Sequence, residues 1–407
     1  MAKNTLVFIY NSFNDPLFQN LMLSYLKTLT ARHNVGRFYL ITFEQKKYQL
    51  SPKERARIKS ELESHHIYWR PLTFHSGKLL LLKKAWDFSI SFLKVLWIRV
   101  RHQTQIIFCF ANVSASFGYV FSKLMRMKLM IYSYEPHSEF MVDLGYWSTS
   151  DLKYRLLNSL EWKAGMHADV VMTGTQWMVD ELKRRGSKAE LYRAPTAVDP
   201  EIFKPDLLSR TDARKALGYS DDDHVFIYVG KFGGLYYVEG IPRLCQNMHA
   251  HVKNARFLIV TSNDHLEMNE LFSKYLPEVV FKITGNLSQK DLIACMNASD
   301  FGISGVPPSP NQKYRSPTKV AEYLMVGLPY ITTEGVAEDD VYAMEKNIGV
   351  VTSDFNVDLN SNFYEKINSL LEEDKEKQVS RIRSIGLEYR SKEKIDKLLV
   401  ELYSVSN

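Results

Sequence analysis

Short apolar strands alternate with helical segments along this chain of 407 residues, and the alternation starts twice. Strands that are apolar throughout and separated by helices are typical of a parallel sheet covered on both faces. Between the two series, residues 194–207 show no periodicity and contain three prolines, as linkers between domains do. The pattern predicts an α/β protein of two doubly wound parallel-sheet domains that face a crevice.

The same pattern places the domain limits. We expect an N-terminal domain at residues 1–195, a linker at 196–207 and a C-terminal domain at 208–385. The charged segment 363–403 is helical in pattern, and we expect the helix at 386–407 to pack back toward the N-terminal domain. In open sheets of this kind, ligands bind at the carboxyl ends of the strands. Candidate binding residues should therefore follow strands directly.

Charge is distributed unevenly along the chain. Residues 46–128 contain sixteen lysines and arginines against four acidic residues, a net charge of +12, whereas the whole chain carries only +6. A basic segment indicates an anionic partner, such as a membrane surface, a nucleic acid or a phosphorylated substrate. Its helix at 79–100 mixes tryptophan and leucine with lysine, which is the composition of a helix lying on a membrane surface. A core helix with a solvated basic face has a similar composition.

Several classes of function are disfavoured because their motifs are missing. The chain has no phosphate-binding loop of the Walker type, no dinucleotide-binding glycine pattern and no recognised nucleic-acid motif. Its three cysteines and scattered histidines predict neither a disulfide framework nor a metal site, and we expect no cofactor. We find no signal peptide and no apolar stretch long enough to span a bilayer. The expectation is a cytoplasmic protein, with peripheral association at the inner face of the membrane if the basic helix binds lipid.

Two segments carry the chemistry. The first follows the strand at 224–229 and consists of Gly230, Lys231, Gly233 and Gly234 around Phe232. Glycines let the backbone approach a ligand closely, and a lysine beside them suits a pyrophosphate. An ordinary strand-to-helix turn with a surface lysine has the same appearance.

The second segment runs from Arg315 to Leu324. Ser316 is a suitable N-cap and Pro317 a suitable first helical residue, so the free N–H groups of this helix start would attract a phosphate. Lys319 and Glu322 lie one turn apart on one helix face. Glu322 is placed to accept hydrogen bonds from ribose hydroxyls. The alternative is a capped helix with an exposed ion pair.

Residues 316–329 resemble the nucleotide-sugar motif of retaining GT-B glycosyltransferases of the family 4, or group 1, type. The resemblance implies the GT-B fold, with two Rossmann-like domains. It also implies that Glu322 binds the donor ribose and that the diphosphate faces the helix start. The family usually has a second Glu eight residues earlier, where this chain has Tyr314, which leaves the donor sugar open. The donor-binding residues implied by the resemblance are Gly230, Gly233, Gly234, Gly285, Asn286, Leu287, Tyr314, Arg315, Ser316, Pro317, Thr318 and Lys319.

His137 is the candidate in the N-terminal half. It follows a predicted strand at 128–133, where the family often has a histidine near the donor sugar. The resemblance gives catalytic roles to His137, Lys231 and Glu322, with no covalent nucleophile and no metal. A structural histidine in a polar loop is the alternative.

These observations predict a retaining glycosyltransferase. It would move a hexose-type sugar from a nucleoside diphosphate sugar, of UDP or GDP type, to an acceptor hydroxyl. The acceptor would be a saccharide or lipid-linked saccharide in polysaccharide, lipopolysaccharide or glycolipid biosynthesis, and no nucleic acid is expected as a partner. Two alternatives remain: a nucleotide-sugar epimerase on the same fold, and a non-catalytic partner subunit whose donor site is degenerate.

Overall fold

The computed structural model describes residues 3–31 and 36–405, so the predicted domain ends at residues 1 and 407 lie outside the described part. The chain divides into two compact units. Unit 1 consists of Met1–Ala194 together with Ile395–Asn407, and unit 2 of Pro195–Lys394.

Unit 1 is built on a parallel sheet whose seven strands lie in the order β3-β2-β1-β4-β5-β6-β7 in the described residues. Helices connect the strands, and a π-helical turn at Phe18–Met22 leads into α1. The strands are β1 Thr5–Ile9, β2 Phe38–Glu44, β3 Ile67–Thr73, β4 Ile106–Phe110, β5 Lys128–Ser133, β6 Val170–Thr173 and β7 Glu190–Arg193. The helices are α1 Leu23–Thr30, α2 Pro52–Ser64, α3 Leu80–His102, α4 Asn112–Met125, α5 His137–Asp143, α6 Leu152–His167 and α7 Gln176–Arg184.

Unit 2 repeats this plan with six parallel strands in the order β10-β9-β8-β11-β12-β13. The strands are β8 His224–Val229, β9 Ala255–Val260, β10 Phe281–Thr284, β11 Phe301–Ile303, β12 Tyr330–Thr333 and β13 Gly349–Thr352. The helices are α8 Arg210–Leu217, α9 Gly240–His251, α10 His265–Ser273, α11 Gln289–Ala298, α12 Thr318–Met325, α13 Asp339–Glu345, α14 Ser361–Leu371 and α15 Lys375–Arg390. Helix α16, Lys392–Val405, begins in unit 2 and continues in unit 1.

The predicted fold class is confirmed, because both sheets are parallel and both are flanked by connecting helices. Strand β1 is buried along its whole length, as its unbroken apolar sequence predicts. In each sheet the strand order reverses beside the first strand: β1 lies between β2 and β4, and β8 lies between β9 and β11. Ligands of doubly wound sheets bind at such switch points. The residues that follow β8 and β11 are therefore well placed for binding.

Helix α3 differs from the basic-faced core helix that was one of the two interpretations of its sequence. Its buried positions include Asp87, Val95 and Ile98. An apolar stripe is instead exposed, because its residues recur at helical spacing on another side of the helix. The members of this α3 stripe are 48% to 71% exposed and are Leu82, Trp86, Leu93, Trp97 and Val100. In the described residues, no helix combines the length and the apolar character that crossing a membrane requires.

Candidate functional site

The glycine segment after β8 is a tightly constrained turn. Gly233 and Gly234 have φ values of +84° and +65°, in the left-handed region that disfavours other residues. The turn is fixed by Asn263, whose Oδ1 accepts a hydrogen bond of 3.0 Å from the Phe232 backbone N–H. Lys231, between these fixed points, is exposed. The segment thus holds a flexible cation on a rigid backbone.

The end of β8 also contacts the end of β11. The Tyr228 hydroxyl donates a hydrogen bond of 2.6 Å to the carbonyl of Lys231. A Cβ atom on Gly230 would lie 2.9 Å from the Tyr228 hydroxyl, and one on Gly305 would lie 2.7 Å from the same ring. A side chain at either position would clash with this ring, so glycine is required on both sides of it.

The loop after β11 leads into α12, and here the structure corrects one prediction. Ser316 was expected to cap the helix and Pro317 to be its first residue. The helix begins at Thr318 instead, with Pro317 at the cap position and no side-chain capping bond. The Ser316 hydroxyl is occupied elsewhere, so the first N–H groups of α12 are not satisfied by a serine cap. Helix starts of this kind bind anions readily.

Ser316 belongs to a buried network inside unit 2. Its hydroxyl accepts hydrogen bonds from the Thr196 backbone N–H at 2.9 Å and from the Arg390 guanidinium at 2.5 Å. Arg390 is fully buried, also donates to Thr196, and pairs with Asp339. The Tyr389 hydroxyl donates to the same carboxylate at 3.1 Å. The start of α12 is therefore fastened to α13 and to the end of α15.

Lys319 and Glu322 form an ion pair of 2.7 Å, as their spacing predicted. The Lys319 side chain is 33% exposed, whereas that of Glu322 is 9% exposed. Burial raises the pKa of the Glu322 carboxyl, and the ammonium of Lys319 opposes that rise. Lys319 lies on the surface side of this pair. Its flexible side chain can therefore turn toward an anion, and the buried Glu322 carboxylate can then accept hydrogen bonds from a new partner.

The other residues predicted to bind the nucleotide-sugar donor lie in two places. Tyr314 and Arg315 lie buried directly before the start of α12, at the end of a short 3₁₀ helix, Gln312–Tyr314. Gly285, Asn286 and Leu287 follow β10, two strands away from β8 in the sheet. The structure thus brings Gly230, Lys231 and the start of α12 to neighbouring strand ends, with the 285–287 segment further along the same edge.

His137 belongs to unit 1, where it is the first residue of α5. Its backbone N–H donates 2.8 Å to Glu161, a buried carboxylate that also accepts from the backbone N–H and hydroxyl of Ser138. The imidazole packs against Phe140 and Trp147, and burial lowers its pKa. A neutral imidazole presented this way is suited to hydrogen bonding to a sugar hydroxyl and unsuited to permanent charge.

Glu161 gives a testable pH dependence, because burial raises its pKa from 4.5 to about 7, against the hydrogen bonds from Ser138 and His137. Above pH 4.5 the unfolded state loses this proton while the folded state retains it until about pH 7, so the free energy of unfolding falls across this window. We expect the difference between wild type and Glu161→Gln to change by on the order of 2–3 kcal/mol between pH 4.5 and pH 8. Urea denaturation at several pH values measures it.

The exposed carboxylate of Glu63 on α2 supplies the control, Glu63→Gln, which should follow the wild-type profile throughout. If the unfolding free energies of Glu161→Gln and wild type differed by the same amount at every pH, the raised pKa of Glu161 would be disproved.

Metal ligands are not grouped in the part of the chain that the structure describes: no three His, Cys, Asp or Glu side chains there approach one another as a metal site requires. Metal-independent chemistry remains a prediction. The anion-binding groups that the site offers are the backbone of the glycine segment, the start of α12, Lys231 and Lys319.

Comparison with known families gives a match to part of the chain. Residues 223–373 match the family model described as glycosyl transferases group 1. The matched segment lies within unit 2 and includes every predicted donor-binding residue, whereas His137 lies outside it. A search of curated protein sequences gives no significant match.

Solved structures resemble the chain over nearly its whole length. Sucrose-phosphate synthase from Thermosynechococcus elongatus is 15% identical with a TM-score of 0.69, covering 99% of this chain and 98% of that one. HepE from Anabaena, solved in complex with UDP-glucose, is 17% identical with a TM-score of 0.66, covering 98% and 99%. WaaG, a glycosyltransferase involved in lipopolysaccharide biosynthesis, is 14% identical with a TM-score of 0.62, covering 94% and 95%. The fold is therefore GT-B, the fold of group 1 glycosyltransferases.

The sequence analysis missed several residues that build the site. Asn263 fixes the glycine segment, and Thr196 and Arg390 hold Ser316. Asn263 follows β9 closely, a position that hints at a role in loop geometry. Nothing in the sequence near Arg390 indicates its partner at residue 196, because that contact depends on how distant segments pack.

Proposed function

We propose that this chain is a retaining glycosyltransferase that transfers a hexose-type sugar from a nucleoside diphosphate sugar to an acceptor hydroxyl. The observation that carries the proposal is the Lys319–Glu322 pair at the start of α12, inside the segment that matches the group 1 family model. A UDP or GDP donor is proposed, and HepE, which has been solved with UDP and with UDP-glucose, supports the first of the two.

The proposed roles follow from charge and burial. Lys231 and Lys319, with the N–H groups at the start of α12, bind the diphosphate and stabilise the charge that develops as it leaves. Glu322 accepts hydrogen bonds from the ribose hydroxyls. The segment at 285–287 lines the base, and His137 hydrogen-bonds the transferred sugar.

Catalysis on this proposal is positioning together with electrostatic stabilisation. The acceptor proton passes to a phosphate oxygen of the donor, so neither a protein nucleophile nor a divalent metal is needed. The buried ring of Tyr314 stands where the family usually has a second carboxylate, and it would contact the donor sugar through a hydroxyl instead of a charge.

A nucleotide panel tests the proposal. Thermal shift with UDP, GDP, ADP, CMP and dTDP, each with and without Mg²⁺, should show one diphosphate that raises the melting temperature independently of metal. Lys319→Met should weaken binding of that diphosphate about tenfold or more and should weaken binding of the corresponding nucleoside much less, because its ammonium faces the phosphates and reaches the nucleoside only through its pair with Glu322. Lys290→Met, an exposed lysine on α11, is the control.

Absence of a shift with every nucleotide would favour the non-catalytic subunit. Conversion of a nucleotide sugar to an isomer when no acceptor is present would favour the epimerase.

We further propose that the acceptor is a saccharide on a lipid at the cytoplasmic face of a membrane, in cell-surface polysaccharide, lipopolysaccharide or glycolipid biosynthesis. The support is the α3 stripe, whose two tryptophans are exposed on a helix with lysines and arginines beside them. Exposed tryptophan with flanking cations is the arrangement of helices that lie in a membrane interface.

Replacing both Trp86 and Trp97 by serine should reduce binding to vesicles containing anionic phospholipid by about tenfold or more, because the area they would bury in the interface is lost. Vesicle co-sedimentation measures this. Trp177→Ser removes a tryptophan of α7 that is 49% exposed and should bind vesicles like wild type. Equal binding by all three proteins would leave the stripe without a membrane role.

A further inference from the structure

Unit 1 encloses an apolar cavity of about 810 Å³ that the proposed chemistry does not require. Its walls come from α3, α4 and α6, and Phe88, Phe117, Val120 and Leu160 are among the side chains that face it. Donor phosphates and sugar rings need polar partners, and a wall of this kind offers them few. The volume lies in the range of sites that hold small apolar ligands.

The cavity opens through an apolar rim. Leu17, Leu81 and Leu156 line it and are also 37%, 43% and 53% exposed at the surface. Leu81 is the neighbour in sequence of Leu82, the first member of the α3 stripe. A hydrocarbon chain can therefore enter the cavity from the surface past a rim that includes these leucines.

The α3 side of the cavity contains Lys84, whose ammonium is fixed by hydrogen bonds. The Lys84 ammonium donates to the Tyr10 hydroxyl at 2.8 Å and to the His75 carbonyl at 2.7 Å, and it lies 3.6 Å from the carboxylate of Asp87. Asp87 is fully buried, accepts from Tyr10 at 2.5 Å and contacts the imidazole of His75 at 2.5 Å. Lys84 and Tyr10 both line the cavity, so this cluster fixes an ammonium, paired with Asp87, in a wall whose exposed surface is mainly apolar.

His137 and Lys153 also line the cavity. Glu135 lines it too, so the polar end of an amphiphile whose chain fills the apolar part would meet charged groups of both signs as well as the histidine to which the proposed function gives the sugar contact.

We propose that this cavity binds the hydrocarbon chain of a phosphate-bearing lipid, and that Lys84 faces its phosphate. The identification of this lipid as the acceptor rests on the proposed function. The binding of the chain rests only on the cavity, its rim and the lysine.

Binding of n-alkyl phosphates of 6 to 16 carbons below their micelle concentrations, followed by isothermal titration calorimetry on the full chain, tests the cavity. Affinity should rise about fourfold per added CH₂ along this series, because the cavity is large enough for the whole chain. Val120→Trp should lower the affinity for the longer chains by tenfold or more, because the indole occupies the space. Leu124→Trp, one turn along α4 at a side chain 65% exposed, should bind like wild type.

The lysine is tested with matched alkyl alcohols. Lys84→Met should remove most of the preference of the wild type for the phosphate over the alcohol and leave alcohol binding unchanged. Lys94→Met, on the same helix and over the Trp97 ring, should keep that preference. A preference that survives Lys84→Met overturns the phosphate contact. Affinity that does not rise with chain length, or that Val120→Trp does not change, overturns the cavity proposal.

The same preparations are titrated with the preferred nucleotide. Nucleotide binding without alkyl phosphate binding removes the lipid proposal alone. Alkyl phosphate binding without nucleotide binding retains the cavity site and removes the glycosyltransferase assignment.

Discussion

Glu322→Gln should reduce the affinity for the preferred nucleoside by about 10- to 100-fold, since charge-assisted hydrogen bonds to the ribose contribute about 1.5–3 kcal/mol. The substitution keeps the shape of the side chain and removes the charge that Lys319 balances. Inorganic pyrophosphate should bind the variant at least as tightly as it binds wild type, because Lys319 is released toward the anion. Isothermal titration with nucleoside, diphosphate and pyrophosphate separates the two effects.

The pH profile adds a second readout. Because burial raises the pKa of Glu322, acidification should weaken nucleoside binding by wild type before an ordinary glutamate would protonate, and Glu322→Gln should show no such step. Glu345→Gln changes an exposed carboxylate at the end of α13 and serves as the control. Unchanged nucleoside affinity in Glu322→Gln would disprove the ribose contact, whatever happens to pyrophosphate.

Arg390→Met should lower the free energy of unfolding of unit 2 by about 3–5 kcal/mol, because it leaves the carboxylate of Asp339 buried without its cation. The Ser316 hydroxyl, the Thr196 carbonyl and the Thr196 hydroxyl each lose a hydrogen-bond donor at the same time. For a unit of this size the melting temperature should fall by roughly 10 °C. Differential scanning calorimetry and urea denaturation measure the two quantities.

Arg381→Met is the matched control on the same helix. Its partners are Glu373, which is partly exposed, and the exposed carbonyls of Lys346 and Asn347, so water can replace it and the loss should stay at about 1 kcal/mol. Adding Asp339→Asn to Arg390→Met should restore part of the lost stability by removing the unpaired charge. Equal melting temperatures for Arg390→Met and Arg381→Met would show that the buried pair does not hold the start of α12.

Much of the fold followed from local sequence. Strands such as β1 and β8 are short, apolar and bounded by turns, so the strands themselves and their parallel pairing were predictable, whereas their order in the sheet was not predicted. Strand β13, Gly349–Thr352, was not predicted, although β7 and β10 have the same length and also lie at the edges of their sheets.

The candidate site was predictable where one segment carries it. The Lys319–Glu322 pair and the glycines after β8 are local patterns, and the structure places them at the ends of neighbouring loops. The N-cap prediction for Ser316 was wrong because a local preference lost to distant partners: Thr196 and Arg390 take the hydroxyl that would have capped α12. The exposed α3 stripe was unresolved for the same reason, since composition does not tell which face of a helix the core covers.

Unit 1 is assembled from two stretches of chain that are separated by the whole of unit 2. Its later stretch is part of the core: Leu399 is fully buried, and the ring of Tyr403 lies 5.8 Å from that of Phe38 and 6.3 Å from that of Phe108. During synthesis, unit 2 has every residue that it needs before unit 1 does. The half of the protein that the ribosome makes first is therefore the half that finishes folding last, and until then its β1–β4 core presents an uncovered apolar surface to chaperones.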